Sequence, residues 1–285
     1  MLSLSTTHSR SSTLLALLLA IFSTSCTFRV LAYRNADTFI AHRLQQTFGL
    51  ESSQRRKLEP AIDKALAWHR SSELPLYIEA LEGFKQRFAD GLQEDDHAWV
   101  NAQIQLYYRR IWDAIESESV SFLADLNQKN LDALLQTNTE RNQDKEEQLA
   151  QSPENRLEKE LDQLVGRFRT WLGPLNQEQI NRIAEFVRVT KDFEPARFEQ
   201  SKINQAAFAS ALASHSNSVI KTSIQKILFE RESLQTQEFQ TISMRRKEEW
   251  KKLFFDLDQS LTTKQRKHLL QEISSWVEDL HTLGK

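Results

Sequence analysis

Cys26 is the residue whose surroundings predict a defined chemical modification. An apolar run, Thr13–Phe22, follows a positive charge at Arg10, and three small residues, Ser23–Ser25, separate it from Cys26. A secretory signal needs an apolar stretch of about 7–15 residues, whereas a transmembrane helix needs about 20. An export signal that ends at a cysteine is the layout in which that cysteine receives acyl chains such as palmitate. We therefore predict a signal peptide over residues 1–25 and a lipidated Cys26.

The alternative is ordinary secretion that leaves Cys26 as a free thiol. Cys26 is the only cysteine in the chain, so it has no disulfide partner, and an unpaired thiol is a liability in an oxidising compartment. The small residues Thr24 and Ser25 are similar to the cleavage site of bacterial lipoproteins. Thr27, rather than Asp, follows the cysteine, which favours the outer membrane. We expect residues 26–285 to form a lipid-anchored domain that faces the periplasm.

A second group of residues that could do chemistry lies between two predicted helices. It brings an aromatic ring, an imidazole, a guanidinium, a carboxylate and a proline together at Trp68, His69, Arg70, Glu73 and Pro75. One interpretation is a structural corner, in which Arg70 satisfies helix carbonyls and pairs with Glu73 while Trp68 packs. The other is a polar recognition pocket. Catalysis has little support, because no nucleophile stands beside the imidazole in the sequence.

The sequence carries no known signature of an enzyme or a metal site. No Gly-rich phosphate loop, Cys-x-x-Cys, His-Glu-x-x-His or Gly-x-Ser-x-Gly occurs, and no two histidines lie three or four residues apart. Lys and Arg number 37 against 39 Asp and Glu, so the chain lacks the basic excess that a phosphate backbone attracts. We expect no enzymatic activity, no metal, no cofactor and no nucleic-acid partner.

A Leu-x-x-x-Gln motif recurs at the starts of predicted helices. A capping box, in which the N-cap side chain and the residue three positions later satisfy each other's backbone amides, explains the spacing. We therefore interpret the motif as a helix-start device, with part of a binding surface as the alternative. Leu126 to Asn130 is a candidate degraded fourth copy. The three clear copies are Leu50 with Gln54, Leu175 with Gln179, and Leu261 with Gln265.

The composition and the apolar spacing predict an all-α fold. Only six glycines and five prolines interrupt the chain, and apolar residues recur at helical spacing almost throughout. We expect an elongated antiparallel bundle of about eight to ten helices. The two longest are predicted over 118–151 and 217–257. Residues 138–154 are strongly polar and contain Pro153, which makes them a candidate exposed arm or hinge.

Several of these blocks together resemble a known family. The segment from Cys26 to Asp37, Leu50 with Gln54, the Trp68–Pro75 cluster and Trp171–Leu175 resemble a bacterial lipoprotein family catalogued as domain of unknown function 6279. The resemblance implies an α-helical envelope lipoprotein and brings no assigned activity. Leu261–Gln265, which reads Leu-Thr-x-x-Gln, is also similar to the paired motifs of small periplasmic chaperones.

Three functions remain open on the sequence. We favour a protein-binding module, either a chaperone or an adaptor, because 16 phenylalanines are distributed over charged helices and the Leu-x-x-x-Gln motif recurs. The alternative is a structural scaffold or assembly factor for one envelope partner, suggested by the polar stretch 138–154. An unrecognised envelope hydrolase is third and rests only on the Trp68–Glu73 cluster.

Overall fold

The computed structural model describes residues 26–285, and within that range all regular secondary structure is helical. The prediction of an all-α bundle is confirmed. The predicted signal peptide and the side chain of Cys26 lie outside the described part. Two short segments between α-helices have other helical forms: His69–Glu73 is π-helical, and Arg231–Leu234 is a 3₁₀ segment. The α-helices are α1 Cys26–Arg34, α2 Ala36–Phe48, α3 Ser52–Trp68, α4 Leu74–Ala89, α5 Asp96–Ala124, α6 Gln128–Leu149, α7 Pro153–Leu172, α8 Gln177–Val189, α9 Phe193–Ala213, α10 Asn217–Phe229, α11 Gln237–Gln259 and α12 Thr263–Leu283.

The described residues form twelve α-helices, more than the eight to ten expected, and some boundaries differ. The predicted helix 118–151 is broken at Leu126, which is buried, and Asn127 then caps α6. The predicted helix 217–257 is divided in two, because the Thr236 side chain accepts a hydrogen bond from the backbone and starts α11. Both breaks occur at local capping residues inside otherwise continuous amphipathic patterns, which is why periodicity alone misses them.

Eight of the helices form two sets that repeat one arrangement. The first set is α2, α3, α5 and α6, and the second is α7, α8, α11 and α12. In each set the first helix packs against the second and the fourth, and the second packs against the third. The first two helices are joined by a turn with a left-handed glycine, Gly49 with φ +56° or Gly173 with φ +75°. Glycine adopts such angles without the clash that a Cβ would cause.

The remaining helices interlock the two sets. Helix α4 follows the first pair of the first set but packs against α12 of the second set. In the other direction, α9 and α10, which lie between α8 and α11 in the chain, pack against α6 and α5 of the first set. Helix α1 also packs against α12. Because the helices inserted into each set pack against the other set, the described residues form one packing unit. Residues 150–152 link the end of α6 to the start of α7.

Apolar residues at fixed distances after each motif glutamine form the cores of the two sets. The residues four and eight positions after Gln54, Gln179 and Gln265 face inward, as expected for one face of an α-helix. Exposure of these side chains is 8% or less in every case. The six residues are Leu58, Ile62, Ile183, Val187, Leu269 and Ile273.

The polar stretch 138–154 does not project as an exposed arm. Its helical part belongs to α6 and contacts α9. The Asn142 and Gln205 amides exchange two hydrogen bonds of 2.9 and 3.1 Å, and Lys145 donates to Glu194 at 3.0 Å. The expectation of an arm was wrong because polar side chains can meet polar partners on a neighbouring helix as well as water. The link that follows α6 is where a hinge would have to lie.

Glu194 forms an ion pair between α9 and α6. Its carboxylate accepts from Lys145 on α6 and, at 2.7 Å, from Arg197 on its own helix. Burial raises the pKa of Glu194, but the hydrogen bonds and charges of Arg197 and Lys145 outweigh it and lower the pKa to about 2. The carboxylate therefore stays ionised at any pH at which the protein is expected to work.

Candidate functional site

The helix starts of α8 and α12 are joined by a buried pair of amides. Gln179 donates to Oε1 of Gln265 at 3.1 Å, and Gln265 donates to Oε1 of Gln179 at 2.9 Å. Each glutamine also closes a capping box with its own N-cap residue, Asn176 or Thr262. Exposure is 0% for Gln179 and 6% for Gln265. Two local helix caps are thus tied together into one long-range contact.

The first set of helices contains the equivalent pair, and the degraded fourth motif supplies half of it. Gln54 at the start of α3 donates to Oδ1 of Asn130 at 2.6 Å, and Asn130 donates back at 3.2 Å. Asn130 closes a capping box with Asn127 and also donates to the Phe48 carbonyl at 2.9 Å. The chain therefore carries four motif copies that pair two by two, once within each set.

The pairing favours the helix-start interpretation of Leu50, Gln54, Leu175, Gln179, Leu261 and Gln265. Each of the three glutamines accepts a hydrogen bond from the backbone amide of its own N-cap residue. Buried amides that satisfy one another in this way hold helices in a fixed relation, because any separation leaves polar groups without partners. Little of these side chains remains for an external ligand.

The segment from Trp68 to Pro75 is continuous helix, not a corner between two helices. The chain stays helical from Ser52 to Ala89 and passes through the π-helical segment His69–Glu73. Pro75 is the second residue of α4, directly after the π-helical segment, and has no amide hydrogen to donate to the preceding turn. The expected corner between two helices was wrong. Single π-helical turns inside α-helices are often found at functional positions, so the contacts of the segment His69–Glu73 bear on a possible site.

His69 links the first helix of the described chain to this segment. Its Nδ1 lies 2.8 Å from the Tyr33 hydroxyl on α1, and its Nε2 lies 3.2 Å from the Tyr77 hydroxyl on α4. Burial lowers the pKa of His69, although the charge of Glu73 opposes the shift. The neutral ring can donate from one nitrogen to one tyrosine and accept at the other. Both nitrogens are already engaged, which is typical of a structural clamp.

Glu73 pairs with Arg110 of α5, where the sequence suggested Arg70. The carboxylate is fully buried and accepts three hydrogen bonds of 2.7–3.1 Å from the Arg110 guanidinium. Arg70 instead lies over the Tyr33 ring, 5.9 Å from its centroid, and is exposed. Trp68 is half-buried with its ring 6.5 Å from that of His69. The polar groups of this cluster mostly satisfy each other, which supports a structural role.

A buried ion pair that the sequence did not suggest fixes α1 to the last helix. The Arg29 guanidinium, 8% exposed, bonds to the Asp279 carboxylate and donates to Ser275 Oγ at 2.8 Å. The same guanidinium lies 4.5 Å from the centroid of the Trp276 ring. The helix that begins at Cys26 is therefore docked on α12 within its first turn.

Four aromatic rings form a stack that reaches from the second core to the surface. Phe186 is 2% exposed, and its ring centroid lies 4.3 Å from that of Trp250. The Trp250 ring stacks on Phe254 at 5.2 Å, and Phe168 meets Phe254 edge-on at 5.9 Å. Phe254 is 46% exposed. We call Phe168, Trp250 and Phe254 the aromatic surface, and it combines α7 and α11.

The residues that sequence reasoning missed differ in how they could have been found. Asn130 stood in a recognised, if degraded, motif copy. Phe254 and Phe255 are adjacent on one helix and point in directions about 100° apart, and no sequence signal decides how far each is exposed. Arg29 and Asp279 are 250 residues apart and left no local signal.

Metal sites and membrane spans were also sought in the described residues. Between residues 26 and 285 no group of three or more His, Cys, Asp or Glu side chains is placed to hold a metal ion. Among the same helices, none combines the length and the apolar character needed to cross a bilayer.

Comparison with known proteins gives one match. The model of a family of unknown function, DUF6279, matches residues 47–240, which is more than half of the chain. No curated protein and no solved structure matches the chain.

Proposed function

We propose that this chain, which belongs to the family of unknown function DUF6279, is a lipid-anchored protein of the bacterial envelope that binds other polypeptides through the aromatic surface. The observation that carries the proposal is the exposed end of the ring stack at Phe254. The anchor and the periplasmic location are part of the proposal and rest on the sequence around Cys26.

Phe254 has the character of a binding anchor. Its inner neighbour, Trp250, packs on the buried Phe186, so the exposed ring is held on a rigid support. Aromatic residues are enriched among the few positions that contribute most to protein–protein binding. Covering the exposed 46% of a phenylalanine removes about 90 Å² of apolar surface from water, worth about 2 kcal/mol. A rigid anchor of this kind loses little conformational entropy on binding.

The flank of the aromatic surface favours partners that carry acidic groups. Lys247 and Lys251 lie on the same side of α11 as Phe254, at helical spacing. Burial, Lys251 and Lys247 together lower the pKa of the nearby His97, although Glu248 opposes them and bonds to Lys251. This local positive potential and the exposed ring fit polypeptide segments in which apolar and acidic side chains alternate.

Crosslinking in intact cells followed by mass spectrometry tests the proposal. We expect Phe254→Ser to reduce recovery of bound polypeptides markedly, since 2 kcal/mol corresponds to about a 30-fold change in affinity. Phe255→Ser is the matched control, because Phe255 is also 46% exposed and adjacent but outside the ring stack. Equal recovery from the two variants would exclude the aromatic surface as the binding site.

The same experiment separates the alternatives. Many unrelated envelope proteins, enriched after heat or acid stress, would identify a chaperone. One stoichiometric partner under all conditions would identify a scaffold or assembly factor. A hydrolase would gain support only if His69→Ala abolished a cellular phenotype while the thermal midpoint stayed unchanged. That outcome conflicts with the contacts of His69, which predict a loss of stability.

A further inference from the structure

One face of α1 and α2 is exposed from Leu31 to His42. Backbone hydrogen bonds from Asn35 to Leu31 and from Phe39 to Asn35 keep the helical register through the junction of the two helices. Residues at helical spacing on one side are consequently the exposed ones, while those between them are half-buried. We call this the α1–α2 face. It consists of Leu31, Arg34, Asn35, Thr38, Phe39 and His42.

The α1–α2 face combines large apolar side chains with positive charge. Leu31 is 57% exposed and Phe39 is 41% exposed. Arg34 lies between them, and the exposed Arg70 reaches the same region, because its guanidinium lies over the Tyr33 ring of α1. Leucine or phenylalanine beside arginine is the composition of helices that lie in the interface of a membrane. Anionic headgroups attract such basic positions.

The charge of the two helices supports the same conclusion. They contain a single acidic residue, Asp37, which is half-buried, against the arginines 29, 34 and 43. Arg29 is committed to Asp279, so the exposed positive charge comes from Arg34 with Arg70 beside it. The face therefore offers no exposed carboxylate to repel an anionic lipid surface.

The Arg29–Asp279 pair restricts how far this face can move from an anchor at Cys26. Arg29 follows Cys26 by three residues, less than one helical turn, and is buried against α12. An anchor at the start of α1 would consequently be joined to the folded body without a flexible linker. Leu31 lies about 7.5 Å along the helix from Cys26, at 1.5 Å per residue.

We infer that the α1–α2 face docks on the lipid surface into which Cys26 is anchored, with Leu31 and Phe39 entering the headgroup region and Arg34 and Arg70 contacting anionic headgroups. The inference rests on the lipid anchor of the proposed function. The acyl chains and the face act together, so the membrane holds the protein in one orientation instead of only tethering it.

Cysteines introduced one at a time into the mature, lipid-anchored protein test this inference. Cys26 is the only cysteine, so an acylated protein carries no free thiol, and one introduced cysteine takes one fluorophore. We would place an environment-sensitive dye at Leu31→Cys, Thr38→Cys or Phe39→Cys. The control is Met244→Cys on α11, which is 59% exposed. The proteins would be reconstituted in vesicles of phosphatidylethanolamine and phosphatidylglycerol that contain a headgroup-level quencher lipid.

We expect at least a threefold stronger quenching at positions 31 and 39 than at 244, and a reduction when phosphatidylcholine replaces phosphatidylglycerol. Equal quenching at all positions in protein that floats with the vesicles would overturn the inference while leaving the anchor intact. Failure of the anchor gives a different result. The unsubstituted protein would then itself take up dye at Cys26 and would not float with the vesicles.

Discussion

The buried amide pair between α8 and α12 offers the sharpest test of how this fold is held together. Gln179→Leu keeps the size and helix propensity of the side chain but removes all its polar contacts. These include both hydrogen bonds with Gln265, the bond that Gln179 donates to the Ser260 carbonyl at 3.2 Å, and the one that it accepts from the Asn176 amide at 3.0 Å.

The loss of stability follows from the groups left without partners. Gln265 keeps its bonds to Pro174 and to Thr262, so it is only partly orphaned. The Ser260 carbonyl loses the Gln179 donor, and an unsatisfied buried group costs about 1–3 kcal/mol. Loss of the capping interaction at Asn176 adds about 1 kcal/mol. We expect Gln179→Leu to lower the free energy of unfolding by about 2–4 kcal/mol, or the thermal midpoint by about 5–15 °C.

Gln177→Leu is the matched control for this prediction. Gln177 lies two residues before Gln179 on the same helix and is exposed. In the described structure its side chain bonds to Asn181 alone. A surface change of this kind should stay within about 0.5 kcal/mol. Urea and thermal unfolding followed by circular dichroism would measure both variants, and Gln265→Leu would complete a double-mutant cycle with a coupling of about 1–2 kcal/mol. If Gln179→Leu were as mild as Gln177→Leu, the amide pair would not stabilise the fold.

Four further variants probe other positions. Asp279→Asn leaves the buried arginine of α1 without its countercharge and should cost about 3–5 kcal/mol, with faster proteolysis of α1 as the readout. Glu194→Gln should cost about 1–2 kcal/mol at neutral pH after allowance for solvent screening. The depressed pKa of Glu194 makes that contribution full above pH 5 and lost as the pH falls to about 2, so unfolding curves of the two proteins should converge in acid. Gly49→Ala meets a positive φ of +56° and an approach of 3.0 Å to the Ala133 Cβ, and should lower stability by about 1–3 kcal/mol. In Gly166→Ala the added Cβ meets nothing within 4 Å in a helix, so stability should rise by about 0.5–1 kcal/mol. A stabilised Gly49→Ala or a destabilised Gly166→Ala in calorimetry would contradict this reasoning.

The fold class and the helix starts were predictable because their causes are local. A capping box spans four residues, and the apolar positions that follow Gln54, Gln179 and Gln265 lie within about two turns. Short-range features of this kind can be recognised in the sequence without knowledge of the tertiary structure. The same reasoning explains the errors, because an equally local cap at Asn127 or Thr236 can end an amphipathic pattern without changing its period.

The partners of these local devices were decided only by the tertiary structure. Gln179 and Gln265 are 86 residues apart, and nothing in either motif says which other copy it meets. Arg29 finds Asp279 across 250 residues, and the choice of Arg110 over Arg70 as the partner of Glu73 depends on how α5 passes the π-helical segment.

The exposure of the phenylalanine side chains on α11 also depends partly on the sequence and partly on the tertiary structure. The sequence by itself placed two adjacent phenylalanines on α11. Only the packing of α7 and α8 against α11 decided that Phe254 extends a ring stack while Phe255 does not. Helix formation depends on residues three and four positions apart, whereas a surface is assembled from distant segments. The location proposed for this protein therefore rests on the sequence, whereas the position of the proposed binding surface depends on the fold.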